Sequence, residues 1–126
     1  MARILIADDD PDIRDLLQLY LEHAGHEAVP VGSGLEALEM VRQGPFDVAL
    51  VDIHMVPMDG LQTAEELRKL SVTMRIGMIT AANGPEMIIK AVMGRRYGVT
   101  RFLPKPLRRA EVLGFVSSLL AESPSA

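Results

Sequence analysis

The sequence predicts an α/β protein, a doubly wound parallel sheet in which five strands and five helices alternate as (βα)5. Five short apolar runs alternate with longer amphipathic segments, and the first and third runs are continuously apolar, as strands covered on both faces are. The chain has 126 residues, the usual size of one compact domain. Because crossovers between parallel strands are right-handed, we expect the order 2-1-3-4-5, with a crevice at the carboxyl ends of strands 1 and 3.

The five strands are predicted from short runs of aliphatic and β-branched residues. The second run contains Pro30, which cannot donate a hydrogen bond to a neighbouring strand and therefore favours an edge position. The runs are ARILIA (2–7), EAVPV (27–31), FDVALV (46–51), MRIGMIT (74–80) and RFLP (101–104).

The five helices are predicted from apolar residues at helical spacing, with capping residues at their starts. Asp10-Pro11 supplies a capping carboxylate and a first-turn proline, and Asp59 precedes the third helix in the same sense. Asn83-Gly84-Pro85 opens the fourth helix, and Pro106 precedes the fifth. The apolar faces are expected to be Ile13, Leu16, Leu17, Tyr20 and Leu21; Leu35, Leu38 and Met40 or Val41; Leu61, Ala64, Leu67 and Leu70; Ile88, Ile89 and Val92; and Val112, Phe115, Val116, Leu119 and Leu120.

Composition excludes several classes of function. The chain has no cysteine, which excludes disulfides and thiolate metal sites, and its net charge of −4 argues against direct nucleic-acid binding. No run approaches the roughly 20 apolar residues of a membrane span, and acidic residues interrupt the N-terminus before a signal peptide can develop. We therefore expect a cytoplasmic protein with no membrane partner.

Chemically active side chains collect where the predicted strands end. Asp8, Asp9 and Asp10 follow the first strand, and Asp52 follows the third. Thr80 ends the fourth strand and Lys105 follows the fifth. Because the carboxyl ends of parallel strands meet at one edge of the sheet, these groups are expected to converge there.

Three carboxylates at one edge repel strongly, since two unit charges about 4 Å apart cost on the order of 4 kcal/mol at an effective dielectric of about 20. A hard divalent cation offsets this repulsion, because Mg²⁺ prefers oxygen ligands. A metal, a lysine and a threonine hydroxyl beside a carboxylate form a site suited to phosphoryl transfer, with the carboxylate as the nucleophile.

The motifs ILIADDDPDIRDLL, DVALVDIHMVPMDGL, MITAAN and FLPKPL each lie at a predicted strand end, in order along nearly the whole chain. In this the sequence resembles receiver domains of two-component response regulators, such as the chemotaxis regulators. That family has the flavodoxin-like fold with the strand order 2-1-3-4-5, so the resemblance and the predicted topology are not independent. The resemblance implies a receiver domain over residues 1–121, followed by a frayed tail at 122–126.

The resemblance implies a role for each motif position. Asp52 would accept the phosphoryl group from the phosphohistidine of a sensor histidine kinase or phosphotransfer protein. Mg²⁺ or Mn²⁺ would be held by Asp8, Asp9, Asp52 and the backbone carbonyl of His54. Thr80 and Phe102 would be the switch residues, Lys105 would pair with the phosphoryl group across a cis bond to Pro106, and Ala81 would leave that group accessible. The partner or output domain would contact the face formed by helix 4, strand 5 and helix 5, where the arginines crowd and a homodimer is also expected.

Three departures from the family pattern stand out. The proline after the nucleophile comes one place late, at Pro57, so we expect a changed local path in this loop without loss of the site. The segment VMGRRYGVTRF is about two residues longer than in the family, and Leu107 replaces a common phenylalanine.

Two other functions fit the residues less well. A degenerate receiver that acts only as an interaction module would lack one of the acids or the lysine, whereas this chain has them all. An aspartate-nucleophile phosphatase would carry an acid two residues after the nucleophile, where this chain has His54. Asp10 and Asp59 are interpreted as helix caps.

Overall fold

The computed structural model describes residues 1–81 and 85–122, with side chains except at positions 85–87, 89 and 100. Five helices and five strands alternate as predicted. They are β1 (Arg3–Ala7), α1 (Pro11–His23), β2 (Glu27–Val31), α2 (Gly34–Gln43), β3 (Val48–Asp52), α3 (Gly60–Leu70), β4 (Arg75–Thr80), α4 (Pro85–Arg95), β5 (Val99–Pro104) and α5 (Arg109–Ala121).

The strands form one parallel sheet in the order β2-β1-β3-β4-β5, which confirms the predicted topology. Two apolar cores cover its faces because alternate side chains of each strand point to opposite sides. Leu5 and Ala7 pack with residues of α2 and α3, whereas Ile4 and Ile6 pack with residues of α1 and α5. The strand carrying Pro30 lies at the edge, as expected.

The helix starts follow from the capping residues. Asp10 accepts a hydrogen bond from the Asp12 amide at 2.9 Å, and Asp59 forms a reciprocal capping box with Gln62. These bonds satisfy amides that have no partner inside the helix, and they confirm the interpretation of both aspartates as caps. The predicted opening of α4 at Asn83-Gly84 lies outside the described residues.

Some predicted apolar faces are wrong. Leu35, Leu70, Ile88 and Val92 are exposed, although their spacing places them with the apolar residues of their helices. Helical periodicity shows which direction the apolar face of a helix points, but not how many of its residues the sheet covers. In α2 the buried face is formed by residues such as Ala37, and Leu35 lies outside it.

The fifth strand begins at Val99, two residues before the predicted start. Val99 pairs with Ile76 and Arg101 pairs with Gly77, so Thr100 is an additional residue that forms a bulge in β5. Gly98, with φ +76°, makes the turn that enters the strand.

The predicted tail begins with an anchored residue. Glu122 accepts hydrogen bonds from Arg75 through its carbonyl and pairs with Arg101 through its carboxylate. Residues 123–126 lie outside the described ranges, so the domain boundary stays a prediction. Within the described ranges, no helix is long and apolar enough to cross a membrane.

Gly60, the first residue of α3, lies in close contact with the backbone at the end of β3. We expect its replacement by alanine to destabilise the fold. A methyl group there would lie 2.6 Å from the Ile53 Cα and would collide with the Asp52 carbonyl, both of them backbone atoms. We predict that Gly60→Ala lowers the free energy of unfolding by about 2 kcal/mol or more, as measured by urea denaturation.

Gly114 provides the matched control, because it lies in α5 and a methyl group on it would meet no atom within 4 Å. Gly114→Ala should raise the free energy of unfolding by about 0.5–1 kcal/mol through helix propensity alone. Equal stability of Gly60→Ala and the wild type would show that the contact between α3 and β3 is not tight.

Candidate functional site

The site forms where β1 and β3 end side by side. Asp52 is the last residue of β3 and Asp8 directly follows β1; their exposed fractions are 4% and 1%. Asp9 is exposed at the rim. One carboxylate oxygen from each of the three lies within 4.8 Å of the others, which confirms that the sheet brings the predicted acids together.

The loop after β1 is held in place by hydrogen bonds within itself, to β2 and to α1. The Asp10 amide donates to Asp8 Oδ1 at 2.9 Å, while the Asp8 amide donates to the Val31 carbonyl at 3.2 Å. Arg14, one turn into α1, donates from Nη1 to the Asp8 carbonyl at 2.8 Å. These contacts fix the Asp8 carboxylate so that its second oxygen points into the site.

That second oxygen, Asp8 Oδ2, is buried and has no hydrogen-bond partner among the residues that the structure describes. A buried carboxylate oxygen normally has a donor, because leaving it without one forfeits the interactions it had with water. The Lys105 ammonium is the cation beside it, but its Nζ lies 3.8 Å away, beyond hydrogen-bonding distance. An oxygen in this situation, beside two other carboxylates, is suited to bind a hard divalent cation, either directly or through a water molecule.

The environment of Asp8 raises the pKa of its carboxyl to about 6. Burial is the largest cause, and the charges of Asp52 and Asp9 add to it. The hydrogen bond from the Asp10 amide and the charge of Lys105 oppose the rise in pKa. The charged form of the Asp8 carboxyl is therefore less well stabilised here than that of an ordinary surface carboxyl.

Lys105 follows β5 and reaches across the ends of the strands to Asp52. Its Nζ lies 3.5 Å from Asp52 Oδ2, and its amide donates to the Thr80 carbonyl at 2.8 Å. The bond to Pro106 is cis, as the resemblance implied. Lys105 is thus held beside the acids at both its backbone and its side chain.

The remaining predicted site residues lie around the acid cluster and differ in how deeply they are buried. Thr80 is buried at the end of β4, and Ala81 is exposed beside it. His54 has an exposed side chain, and its amide donates to Asp52 Oδ1 at 3.2 Å. Phe102 is half-buried on β5, against the core that lies on the α2–α3 side of the sheet. Their roles as switch residues and as a carbonyl ligand stay predictions.

The loop between β3 and α3 keeps the site intact despite its late proline. Its Val56-Pro57 bond is cis, and the Gly60 amide donates to the Ile53 carbonyl at 2.8 Å. Asp52 lies with Asp8 and Lys105 as expected. Leu107 is buried in the core on the α1–α5 side, where the family commonly has phenylalanine.

Two residues that position the site were not predicted. Arg14 holds the Asp8 carbonyl, and Gly60 allows α3 to begin directly against the Asp52 backbone. The position of Arg14, one turn after the cap at Asp10, was a usable signal, because that turn lies beside the strand end. Gly60 is indistinguishable by sequence from an ordinary first helical residue.

Comparison with known proteins agrees with this geometry. The family model "Response regulator receiver domain" matches residues 4–117. Protein PilH of Pseudomonas aeruginosa is 34% identical over 96% of this chain and 99% of its own length. The CpxR homologue of Haemophilus influenzae, a transcriptional regulatory protein, is 32% identical over 99% of this chain, which spans 53% of that protein. The chain spans 27% of the Escherichia coli transcriptional regulatory protein GlrR, at 32% identity over 97% of this chain.

Solved structures show the same fold. The chemotaxis protein CheY4 of Vibrio cholerae superposes with a TM-score of 0.86 at 29% identity, covering 95% of this chain and 99% of CheY4. NtrX of Brucella abortus superposes with a TM-score of 0.86 at 28% identity, covering 94% of this chain and 27% of NtrX. With the family model matching most of its length, this chain belongs to the response regulator receiver domain family.

Proposed function

We propose that this chain is a phospho-accepting receiver in which Asp52 takes a phosphoryl group from the phosphohistidine of a sensor histidine kinase or a phosphotransfer protein. The observation that carries the proposal is the convergence of Asp52, Asp8 and Asp9 with Lys105, whose Nζ lies 3.5 Å from Asp52 Oδ2. A structural ion pair would not need the second and third acids.

The chemistry is a transfer between two nucleophiles. Asp52 Oδ2 attacks the phosphorus, the bond from phosphorus to the donor histidine nitrogen breaks, and an acyl phosphate forms. The Lys105 ammonium neutralises part of the charge on the phosphoryl oxygens, and the Thr80 hydroxyl donates a hydrogen bond to one of them. The small side chain of Ala81 leaves the approach open.

Asp8, Asp9, Asp52 and the backbone carbonyl of His54 are the groups proposed to hold Mg²⁺, or Mn²⁺. When bound, the metal supplies positive charge to the phosphoryl oxygens and to the acids that surround them. The chain's own part is to hold Asp8 in place, through the Asp10 amide at its carboxylate and Arg14 at its backbone carbonyl. The only catalysis proposed is self-phosphorylation and autodephosphorylation.

Phosphorylation is proposed to shift an equilibrium between two conformations of the domain. Thr80 and Phe102 would transmit this change to the face formed by α4, β5 and α5. Two large apolar side chains of α4, Ile88 and Val92, are exposed, which supports an output domain or protein partner, or a homodimer, on this face. Several relatives are longer regulators in which this chain corresponds to one part. A cytoplasmic location and the absence of direct nucleic-acid binding stay predictions.

Beryllofluoride binding tests the proposal without a kinase. Because it mimics a phosphoryl group on a carboxylate, we expect changes in the backbone NMR shifts of Thr80 and Lys105 when Mg²⁺ and beryllofluoride are both present, beyond those that Mg²⁺ alone causes near Asp52. Absence of binding at millimolar Mg²⁺ would leave the chain as a degenerate receiver that acts as an interaction module.

A further inference from the structure

A second surface feature, separate from the acid cluster, is a groove between α2 and α3. Its volume is about 390 Å³. Its walls come from the start of α2, the loop that precedes α3, and the outer side of α3. The lining residues are Leu35, Pro57, Met58, Gln62, Glu65 and Glu66.

The groove has an apolar side that the fold leaves uncovered. Leu35 is 55% exposed, and Val56, which precedes the lining residue Pro57, is 76% exposed. Single exposed apolar residues are common, but here Leu35, Pro57 and Met58 line one concavity. Because α2 completes its core contacts through Ala37 and Leu38, nothing in the fold requires a leucine at position 35.

The two helices that form the groove pack closely against each other at one end. Thr63 is buried, and its Oγ1 donates to the Asp59 carbonyl at 2.8 Å. A methyl group on Gly34 would collide with Thr63 Oγ1 and would lie 3.2 Å from Met58 Sδ, so α2 and α3 are in close contact at this end. A preformed groove costs a partner little reorganisation of this chain.

The charged lining residues are both carboxylates. Glu66 pairs with Lys69 at 2.9 Å in an exposed contact, which is a weak interaction in water. Glu65 forms no salt bridge with any residue in the described ranges. The apolar and acidic side chains that line the groove are together complementary to a segment that carries apolar and basic side chains.

We propose that this groove docks a helical segment of a separate protein that carries leucine-like side chains at helical spacing together with lysine or arginine. A small molecule fits less well, because the groove is open to solvent. A second copy of this chain is the competing occupant, although two of the arginines that it would offer, Arg101 and Arg108, already lie beside Glu122 and Glu111. The proposal does not depend on phosphorylation, although the docked segment would contact the loop that follows Asp52.

Two labelled peptides of about 12 residues, roughly three helical turns, test the proposal. Both carry leucine at helical spacing, one with lysine and the other with glutamate at the remaining positions. We expect the leucine–lysine peptide to bind the full chain at least about tenfold more tightly by fluorescence anisotropy. Its NMR shift changes should centre on Leu35, Met58 and Glu65.

Variants distinguish binding in the groove from non-specific electrostatic attraction of a basic peptide to an acidic protein. Leu35→Asp should weaken the leucine–lysine peptide at least about tenfold, whereas Leu19→Asp, at a comparably exposed leucine of α1, should not. Glu65→Lys should weaken binding of the leucine–lysine peptide and strengthen binding of the leucine–glutamate peptide. Equal effects of Leu35→Asp and Leu19→Asp, or shift changes centred elsewhere, would overturn the proposal. So would self-association of the wild type that Leu35→Asp abolishes, because it would assign the groove to a second copy.

Discussion

Asp52→Asn is expected to abolish phosphorylation by acetyl phosphate. The amide cannot form an acyl phosphate, so label uptake should fall by at least about a hundredfold at saturating Mg²⁺. The fold should persist, because asparagine has nearly the same shape and still accepts a hydrogen bond from the His54 amide. Intact-protein mass spectrometry measures the phosphorylated fraction directly.

Asp47→Asn is the matched control, because Asp47 precedes the same strand and its carboxylate accepts a hydrogen bond from the Arg3 amide at 2.8 Å. This variant should be phosphorylated like the wild type. Uptake by Asp52→Asn equal to that of the wild type would show that another residue accepts the phosphoryl group.

Asp8→Asn is expected to separate stability from metal binding. In the metal-free protein the substitution removes a buried charge with one unsatisfied oxygen beside two other acids, so the free energy of unfolding should rise by roughly 1 kcal/mol, or a few degrees in Tm. Loss of a charged group next to the metal should weaken Mg²⁺ binding by about 10- to 100-fold. Thermal denaturation with and without Mg²⁺ measures both effects.

The pH dependence gives the same substitution a second readout. The Asp8 pKa is about 6 in the folded, metal-free protein and 3.8 in its ordinary state, so folding takes up a proton between these values. Asp8 therefore lowers the free energy of unfolding as pH rises from about 4 to 6, and Mg²⁺ affinity should rise over the same interval. Asp8→Asn should remove this contribution. A variant that is less stable than the wild type at pH 7 without metal would contradict the account.

Much of the fold was predictable because burial on two faces leaves a simple pattern in the sequence. The apolar runs of β1 and β3 and the caps at Asp10 and Asp59 each reflect a local physical requirement. The start of β5 was not predictable, because a bulge at Thr100 changes the pairing without changing composition. The exposure of Leu35 and Val92 was not predictable either, since it depends on how far the sheet extends beneath each helix.

The acid cluster was predictable for a topological reason: Asp8, Asp9, Asp52 and Lys105 follow strands that end at one edge of a parallel sheet. Their support was harder to predict. The hydrogen bond from Arg14 and the close approach at Gly60 both involve backbone atoms, and only the position of Arg14, one turn after the cap at Asp10, gave a signal in the sequence. The groove beside Leu35 likewise arises from packing between α2 and α3.

The most direct test of the central claim is to locate the phosphoryl group. Protein phosphorylated by a histidine kinase or by acetyl phosphate would be reduced with borohydride, which converts an aspartyl phosphate to homoserine, and then mapped by peptide mass spectrometry. We expect homoserine at position 52 and aspartate at positions 8, 9, 47 and 59. Homoserine at one of those other positions, or at none in protein known to be phosphorylated, would contradict the assignment of Asp52 as the phosphoacceptor.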